Sequence, residues 1–181
     1  KIVETRNTRV VVPVFSLALS FLSAKRKRNI HSFGEKWGYQ YFNAPLAILV
    51  NKFSASASEI LAGAIQDYDR GLIIGTETFG KGTVQREDQL TSGQLKFTES
   101  KFYRVSGSST QNEGVTPDIS LPTIIDIDEV GENQLPGALE HDNIPTTRYR
   151  DFGRIDPYLD GLKEKNKQRI SQSIFYQNLN K

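Results

Sequence analysis

The sequence predicts an α/β domain, a mixed sheet with helices, which is followed by a helical C-terminal extension. Residues 45–50 (PLAILV) are continuously apolar, as in a strand that is buried on both faces. Residues 54–68 follow with apolar side chains at the spacing of one helix face, and residues 72–74 (LII) form a second apolar run. Strand, helix and strand in this order are typical of an α/β domain.

The predicted helix has a clear start, and a loop rich in glycine follows the second strand. Three alternate serines in residues 54–58 (SASAS) favour the N-cap, and Glu59 suits the first turn. Residues 75–82 contain three glycines, which predict a loop. The sequence therefore places a serine-rich helix start and a glycine-rich loop at the ends of two neighbouring strands.

After this loop the signals change to extended structure. Residues 83–85 (TVQ) and 94–105 (QLKFTESKFYRV) read as strands, the second of them long. Residues 114–121 (GVTPDISL) predict a turn with a short extended exit. Residues 122–181 carry spaced prolines and acidic residues, and then a charged helical segment around residues 158–178.

The first 43 residues give weaker signals. Residues 10–14 read as a strand that Pro13 interrupts, and residues 15–24 as a short helix or a strand. This apolar run precedes KRKR (residues 25–28) and imitates a targeting segment. We favour the other interpretation, in which buried elements lead into a solvated basic loop, and keep the targeting segment as the alternative.

Composition excludes several kinds of site. The 181 residues contain no cysteine, so disulfides, thiolate metal sites and a cysteine nucleophile are excluded. The formal net charge of +2 at pH 7 is too small to indicate nucleic acid or a membrane as partner. We expect a soluble domain that needs no cofactor and no metal and binds no nucleic acid.

Ser56 is the first candidate for chemistry. A serine hydroxyl attacks a carbonyl only when a base takes its proton and when donors, commonly N–H groups at a helix start, hold the oxyanion. Ser56 lies at such a start, and the N–H of Ala57 is a natural donor because the residue after the nucleophile faces the developing charge. From the local pattern alone, serines that merely cap the helix remain the commoner explanation.

Lys81 is the candidate base. It lies between two glycines (GKG), which let the backbone pass close to another element. Burial beside Ser56 would favour the neutral form that a general base needs, whereas an exposed lysine in a turn is the alternative. His31 and His141, the two histidines, lie on no recognisable element, so a Ser-His-Asp triad is the weaker hypothesis.

A phosphate-binding loop is the rival use of Lys81. Residues 75–81 (GTETFGK) satisfy the first seven positions of GxxxxGK[ST], but Gly82 stands where Ser or Thr belongs, and the hydroxyl is displaced to Thr83. The motif also needs a helix whose N-terminus faces the phosphates, whereas the residues that follow read as a strand. A P-loop-like nucleotide-binding domain therefore stays as a third hypothesis.

Residues 51–85 (NKFSASASEILAGAIQDYDRGLIIGTETFGKGTVQ) resemble the active-site segment of the carboxy-terminal processing (tail-specific) proteases, above all their long periplasmic branch. The resemblance implies Ser56 as nucleophile and Lys81, 25 residues later, as general base of a Ser-Lys dyad. It also implies that Gln85, four residues after the lysine, helps to place it. Ala57 would supply one oxyanion N–H.

The resemblance extends over residues 44–180 and implies an incomplete crotonase/ClpP-like protease core. We therefore divide the chain into a poorly readable N-terminal segment of the protease domain (1–43), the catalytic core (44–125) and a C-terminal extension (126–181). Residues 10–43 do not resemble the family's connecting strands. The family's upstream Gly-rich turn and its PDZ domain are not recognisable either, so the chain looks like a C-terminal fragment.

The implied function is that of a serine endopeptidase which cleaves proteins near unstructured, apolar C-terminal tails through an acyl-enzyme. The implied partners are polypeptides with disordered tails, and the resemblance places the protein in the periplasm, with membrane association open for the full-length protein. The alternative is a catalytically inactive binding or structural fragment of the same fold.

Overall fold

The structure, a computed structural model, describes residues 44–126 and 128–179 together with the backbone of four short strands that precede them. Its elements in chain order are β1 Val3–Thr5, β2 Thr8–Val10, β3 Phe21–Lys25, β4 Asn29–Phe33, β5 Ala47–Val50, α1 Ala57–Asp67, β6 Leu72–Gly75, β7 Thr83–Gln89, β8 Gln94–Tyr103, β9 Ile119–Ser120, a 3₁₀ turn Glu132–Gln134, α2 Asp156–Gln172 and α3 Ile174–Leu179.

A parallel sheet of β5, β6 and β9 forms the core and positions the site. β5 pairs with β6 in register from Ala47 opposite Leu72, and β9 pairs with the far side of β6. Helix α1 connects β5 to β6, and its Ile65 packs with Ile48 and Ile73 in a cluster of buried residues. Burying such side chains contributes about 1.5–3 kcal/mol each, so this sheet and helix hold the ends of β5 and β6 together.

A second, antiparallel sheet has the order β4-β3-β8-β7. β7 and β8 form a long hairpin, with an irregular register between Val84 and Gln85. β3 pairs on one side with β4 and on the other with β8, and β1 and β2 form a separate pair. The sheets place the loop between β6 and β7 at the point where the chain passes from the parallel sheet to the antiparallel one.

The predicted α/β class with helices at the C-terminus is confirmed, although parallel and antiparallel pairing occur in different sheets. The helix begins at Ala57 rather than at residue 54, because the Ser54 hydroxyl accepts the N–H of Asn51 in the preceding turn. The strand predicted for residues 83–85 continues to Gln89. The charged helical segment is confirmed as α2 and α3.

The N-terminal predictions are tested only in part. β2 ends at Val10, and residues 11–20, where most of the predicted strand and part of the helix-or-strand segment fall, lie outside the described residues. Residues 21–24, for which a helix and a strand were both open, belong to the strand Phe21–Lys25. β4 has no counterpart among our predictions, because its polar sequence acquires strand structure by pairing with β3.

The C-terminal extension is attached to the end of α1. Both carboxylate oxygens of Asp69 lie 3.1 Å from the N–H of Ile155, and they also accept the N–H of Asp156 at the start of α2. The ring of Tyr68 packs edge-on against Tyr149, with centroids 5.4 Å apart. In the part of the chain that the structure describes, no helix is long and apolar enough to cross a bilayer.

Candidate active site

Ser56 lies between β5 and α1, at the N-cap of the helix. Its backbone has φ 58° and ψ −115°, and a positive φ is uncommon for a residue other than glycine. Such a conformation costs about 1–3 kcal/mol and persists only where surrounding contacts enforce it. The turn leaves Ser56 partly exposed at the helix start, where the sequence predicts it.

The backbone N–H of Ala57 is available as a donor. The N–H groups that follow it have acceptors, Ala55 O for Ser58 at 3.2 Å and Ser56 O for Glu59 at 2.9 Å. The Ala57 N–H has no backbone acceptor within residues 44–126 and 128–179, and Ala57 is exposed. Because N–H groups in the first turn of a helix favour anions, this position suits an oxyanion donor, and that role stays a prediction.

Lys81 lies in the loop between β6 and β7 and is partly buried. Its Nζ is 3.4 Å from Thr83 Oγ1. The neighbouring Gly82 passes so close to Gln111 that a Cβ there would stand 2.6 Å from Gln111 N. The expectation that the glycines beside Lys81 allow a close approach of two backbones is thereby confirmed.

Glu59 joins the segments that carry Ser56 and Lys81. Its side chain is 0% exposed, and its Oε2 accepts the N–H of Ser56 at 2.8 Å and the N–H of Lys81 at 2.9 Å. The two backbone nitrogens are therefore no farther apart than the sum of these distances. The other oxygen, Oε1, accepts the N–H of Gly80 at 2.7 Å and the hydroxyl of Thr78 at 2.6 Å.

The electrostatics of Glu59 reflect two opposing effects. Burial raises the pKa of its carboxyl above the ordinary value, and the hydrogen bonds from Thr78, Gly80, Ser56 and Lys81 lower it in part. The sequence contains the signal for one half of this arrangement, because Ser56-x-x-Glu59 is the pattern of a capping box. The sequence prediction places Glu59 only in the first helix turn and misses its contacts with the lysine loop.

Further contacts hold the serine segment and the lysine loop side by side. The N–H of Phe79 donates to Ser54 O at 2.9 Å. The Nζ of Lys52 lies 2.8 Å from Glu77 Oε1, with the lysine side chain 4% and the glutamate 40% exposed. The two segments are therefore joined at three levels, by a backbone bond, an ion pair and the Glu59 carboxylate.

The other predicted site residues are placed as follows. Gln85 is exposed on β7, opposite Thr98, and its predicted role in placing Lys81 stays a prediction. His141 Nδ1 lies 3.3 Å from Gln111 O and 3.5 Å from Glu113 Oε2, so these contacts belong to a different turn from Ser56. His31 falls on β4, whose side chains lie outside the described residues.

The phosphate-binding alternative lacks its second element. Strand β7 begins at Thr83, two residues after Lys81, where the motif requires a helix N-terminus. Across the described ranges, no group of three or more His, Cys, Asp or Glu side chains is arranged to hold a metal ion. What the arrangement offers is a serine, a lysine and a helix-start N–H, which are the components of acyl transfer.

Comparison with known proteins gives two family matches and similar relatives. Residues 7–121 match the model of peptidase family S41, and residues 125–181 match that of the C-terminal domain of tail specific protease. The tail-specific protease of Haemophilus influenzae is 46% identical over 154 residues, 78% of this chain and 22% of that protein. The carboxy-terminal-processing protease of Bartonella bacilliformis is 45% identical over 96 residues, 52% of this chain and 22% of that protein.

A solved structure of a photosystem II D1 C-terminal processing protease is 38% identical, with a TM-score of 0.49 over 58% of this chain and 28% of that one. The chain thus spans about a fifth of the length of the two curated relatives. Because the first family match begins at residue 7, our expectation that residues 10–43 do not resemble the family is wrong. With residues 7–121 matched, the chain belongs to peptidase family S41, and its extension is similar to the C-terminal domain of tail specific protease.

Proposed function

We propose that this chain carries the Ser-Lys dyad of a serine endopeptidase that cleaves proteins near unstructured, apolar C-terminal tails. The observation that carries the proposal is the shared carboxylate, since the backbones of Ser56 and Lys81 bond to one oxygen of Glu59. A nucleophile and its base need such neighbouring positions. The family and the names of the relatives, a tail-specific and a carboxy-terminal-processing protease, support the same function.

In the acylation step, the neutral amine of Lys81 takes the proton from Ser56 Oγ as the oxygen attacks a peptide carbonyl carbon. The carbonyl π electrons move to the oxygen, and the Ala57 N–H stabilises that oxyanion. When the oxyanion collapses, the C–N bond breaks and the Lys81 ammonium gives its proton to the departing amine. An ester between Ser56 and the substrate's acyl group remains.

Deacylation repeats the same steps with water as nucleophile. Lys81 takes a proton from the water, the hydroxide adds to the ester carbonyl, and Ser56 leaves with the proton that Lys81 returns. The resemblance assigns Gln85 to the placement of Lys81 and assigns a second oxyanion donor to a Gly-rich turn upstream of the nucleophile. Loss of one such donor typically lowers the rate by a factor of about 10²–10³.

The substrate in this proposal is a polypeptide with a disordered apolar tail that adds as an extra strand to a sheet edge. Main-chain hydrogen bonds supply affinity in this mode of binding, and pockets for alternate side chains supply selectivity. The proposed location is the bacterial periplasm, which the resemblance to the periplasmic branch of the family supports. An inactive fragment that binds tails without cleaving them is the second candidate, and the variants below separate it from the protease.

The test uses a folded protein that ends in a disordered apolar tail, and its cleavage is measured from the change in its intact mass. Ser56→Ala and Lys81→Ala are compared with Ser92→Ala and Lys96→Ala, which change exposed residues of the β7–β8 hairpin. Acylation of Ser56 by a fluorophosphonate is measured in parallel, because it reports the nucleophile without a protein substrate.

We expect Ser56→Ala and Lys81→Ala to lose cleavage by at least about 10³-fold, because the nucleophile and its base act as a unit. The two control variants should match the parent. Ser56→Ala should lose the probe adduct, and Lys81→Ala should form it slowly. Cleavage that survives in Ser56→Ala would exclude the dyad, and a parent that binds tails but neither cleaves them nor forms the adduct would favour the inactive fragment.

A further inference from the structure

The peptide group between Phe79 and Gly80 is held from both sides. Its N–H, on Gly80, donates to Glu59 Oε1 at 2.7 Å. Its carbonyl, Phe79 O, accepts the N–H of Glu132 at 3.0 Å. One bond comes from helix α1 and the other from the 3₁₀ turn of the C-terminal extension, so two parts of the chain fix the orientation of this peptide, which lies one residue before Lys81.

The extension also packs directly on this peptide. Gly131 is buried, and a Cβ on it would stand 2.5 Å from Asn133 Oδ1, 3.3 Å from Phe79 O and 3.5 Å from Lys52 Cε. Glycine therefore lets the turn approach both the lysine loop and the buried lysine that pairs with Glu77. The contact lies between the extension and the segments that carry the proposed dyad.

Gly80 explains why this contact matters for Lys81. Its φ is +93°, and glycine populates this region about as readily as others, so its own backbone does not hold the loop in one conformation. The conformation is set instead by hydrogen bonds on both of its neighbouring peptides, including the bond from Asn112 N to Gly80 O at 2.8 Å. Removal of the Glu132 bond leaves the Phe79–Gly80 peptide held from one side, by Glu59, so the loop that carries Lys81 is less constrained.

Glu132 favours the contact through its backbone and not through its side chain. It is 7% exposed, and its Oε2 is buried without a hydrogen-bond partner among the described residues. Burying a carboxylate oxygen in this way opposes the docked position, so the side chain does not account for the contact. The contribution that favours the docked position is the backbone N–H of Glu132 on Phe79 O, together with the packing of Gly131.

We propose that the C-terminal extension positions the general base, with the Glu132 N–H and Gly131 as the positioning groups that hold the Phe79–Gly80 peptide. This inference rests on the proposed function for the role of Lys81 as base, but not for the contact itself. The extension then acts on catalysis through the backbone of the lysine loop, without touching the substrate.

The test compares Glu132→Pro with Glu132→Ala in the whole chain. Glu132 is the first residue of the 3₁₀ turn, where proline is tolerated because its fixed φ suits a helix start. Proline removes the N–H as well as the side chain, whereas alanine removes only the side chain. The difference between the two variants therefore reports the N–H on Phe79 O.

Hydrogen exchange of the loop amides is the first measurement, because it does not depend on proteolysis. We expect the Gly80 and Lys81 amides to exchange about tenfold faster in Glu132→Pro than in Glu132→Ala, the effect of one net hydrogen bond. Amides of α1 should exchange alike in the two variants. The second measurement is the rate of Ser56 acylation by a fluorophosphonate as a function of pH, whose profile should change in Glu132→Pro only.

A second variant tests the proposal if Glu132→Pro fails to fold. Gly131→Ala places a methyl group against Asn133 Oδ1 and close to Phe79 O, and Gly161→Ala is the matched control because a Cβ there meets no described atom within 4 Å. Faster exchange of the loop in Gly131→Ala alone would support the proposal. Equal loop exchange in Glu132→Pro and Glu132→Ala, or in the two glycine variants, would overturn it. Altered loop exchange with no effect of Ser56→Ala on cleavage would instead sink the proposed function.

Discussion

The carboxylate of Glu59 accepts the backbone N–H of Lys81 at 2.9 Å across 22 positions of sequence. The same oxygen accepts the N–H of Ser56 at 2.8 Å, so a single buried atom positions both main chains. This contact between their backbones fixes the points at which the two side chains are attached.

Glu59→Gln should therefore weaken the contact between the segments that carry Ser56 and Lys81. The amide has one oxygen in place of two, and its NH₂ group faces two of the four donors that the carboxylate satisfied. Leaving buried donors without an acceptor costs about 1–3 kcal/mol. We expect a loss of about 2 kcal/mol in the free energy of unfolding and a slower acylation of Ser56 by the fluorophosphonate.

Glu87→Gln is the control for this change, since its carboxylate lies on the exposed hairpin, 3.5 Å from Lys96. It should alter neither the stability nor the acylation rate. If Glu59→Gln matched this control in urea denaturation and in acylation, the shared carboxylate would have no positioning role.

The pH dependence of stability should carry the signature of Glu59. Because burial raises the pKa of this carboxyl above its ordinary value of 4.5, the folded state binds the proton more tightly than the unfolded state. The stability that this group contributes is fully present below the unfolded pKa and is lost as the pH rises through the raised folded value. Above that value the loss is complete.

The glutamine of Glu59→Gln has no titrating group. Comparison of this variant with the parent therefore separates the effect of Glu59 from the effects of the other acidic residues. The free energy of unfolding of the parent, minus that of Glu59→Gln, should fall with rising pH across the window that begins near the ordinary carboxyl pKa. It should be constant at higher pH. Urea denaturation of both proteins at a series of pH values measures the difference, and a difference that rises with pH would show that the folded pKa is lowered instead.

The positions of Ser56 and Lys81 were predictable because their signals are local. An apolar run, a cluster of serines and a helical period place Ser56 at a helix start, and the glycines place Lys81 in a loop. The role of Glu59 was not predictable in the same way. An acidic residue in a first helix turn is normally explained by the helix dipole, and nothing near it in sequence indicates that its partners lie about twenty positions away.

The polar strand β4 and the docking of the extension escaped prediction for a related reason. β4 is a strand because β3 offers it a backbone to pair with, which a local pattern does not reveal. Asp69 reads as the polar end of a helix, yet its carboxylate accepts N–H groups from Ile155 and Asp156 at the start of α2. Contacts between distant segments decide both features.

Gly75 should be among the least replaceable residues of the parallel sheet. Its φ is +136°, and a Cβ on it would stand 1.8 Å from the carbonyl oxygen of Val50. Since β5 and β6 pair at this point, the two strands would have to separate next to the site. We expect Gly75→Ala to cost about 3 kcal/mol or more of stability.

Gly93→Ala measures the part of that cost that comes from backbone strain alone. Gly93 has φ +90° at the end of the hairpin, but a Cβ there meets nothing within 4 Å in the described part of the chain. It should therefore cost only about 1 kcal/mol, the strain of a side chain at positive φ. Thermal or urea denaturation of the two variants measures the difference, and equal losses would mean that the approach to Val50 relaxes at no cost.

Removing one or the other partner of the ion pair between Lys52 and Glu77 should cost different amounts of stability. The lysine side chain is 4% exposed and the glutamate 40%, so removing the glutamate leaves a buried ammonium without its partner, whereas removing the lysine leaves a carboxylate that reaches water. Breaking a buried pair from one side costs more than replacing both partners. We expect Glu77→Gln to be the most damaging change, Lys52→Met to be milder, and the double variant to recover much of the loss of Glu77→Gln.

A double-mutant cycle in urea decides the case, and Arg86 with Asp88 supplies the control pair. Their side chains are 57% and 41% exposed at a separation of 2.8 Å, and water screens such an exposed pair, so it contributes little to stability. The coupling energy of Lys52 with Glu77 should exceed that of the control. Because this pair lies beside the turn that contacts Phe79 O, Glu77→Gln should also speed amide exchange in the lysine loop. Equal effects of Lys52→Met and Glu77→Gln would show that water reaches Lys52 and that its burial does not determine the strength of the pair.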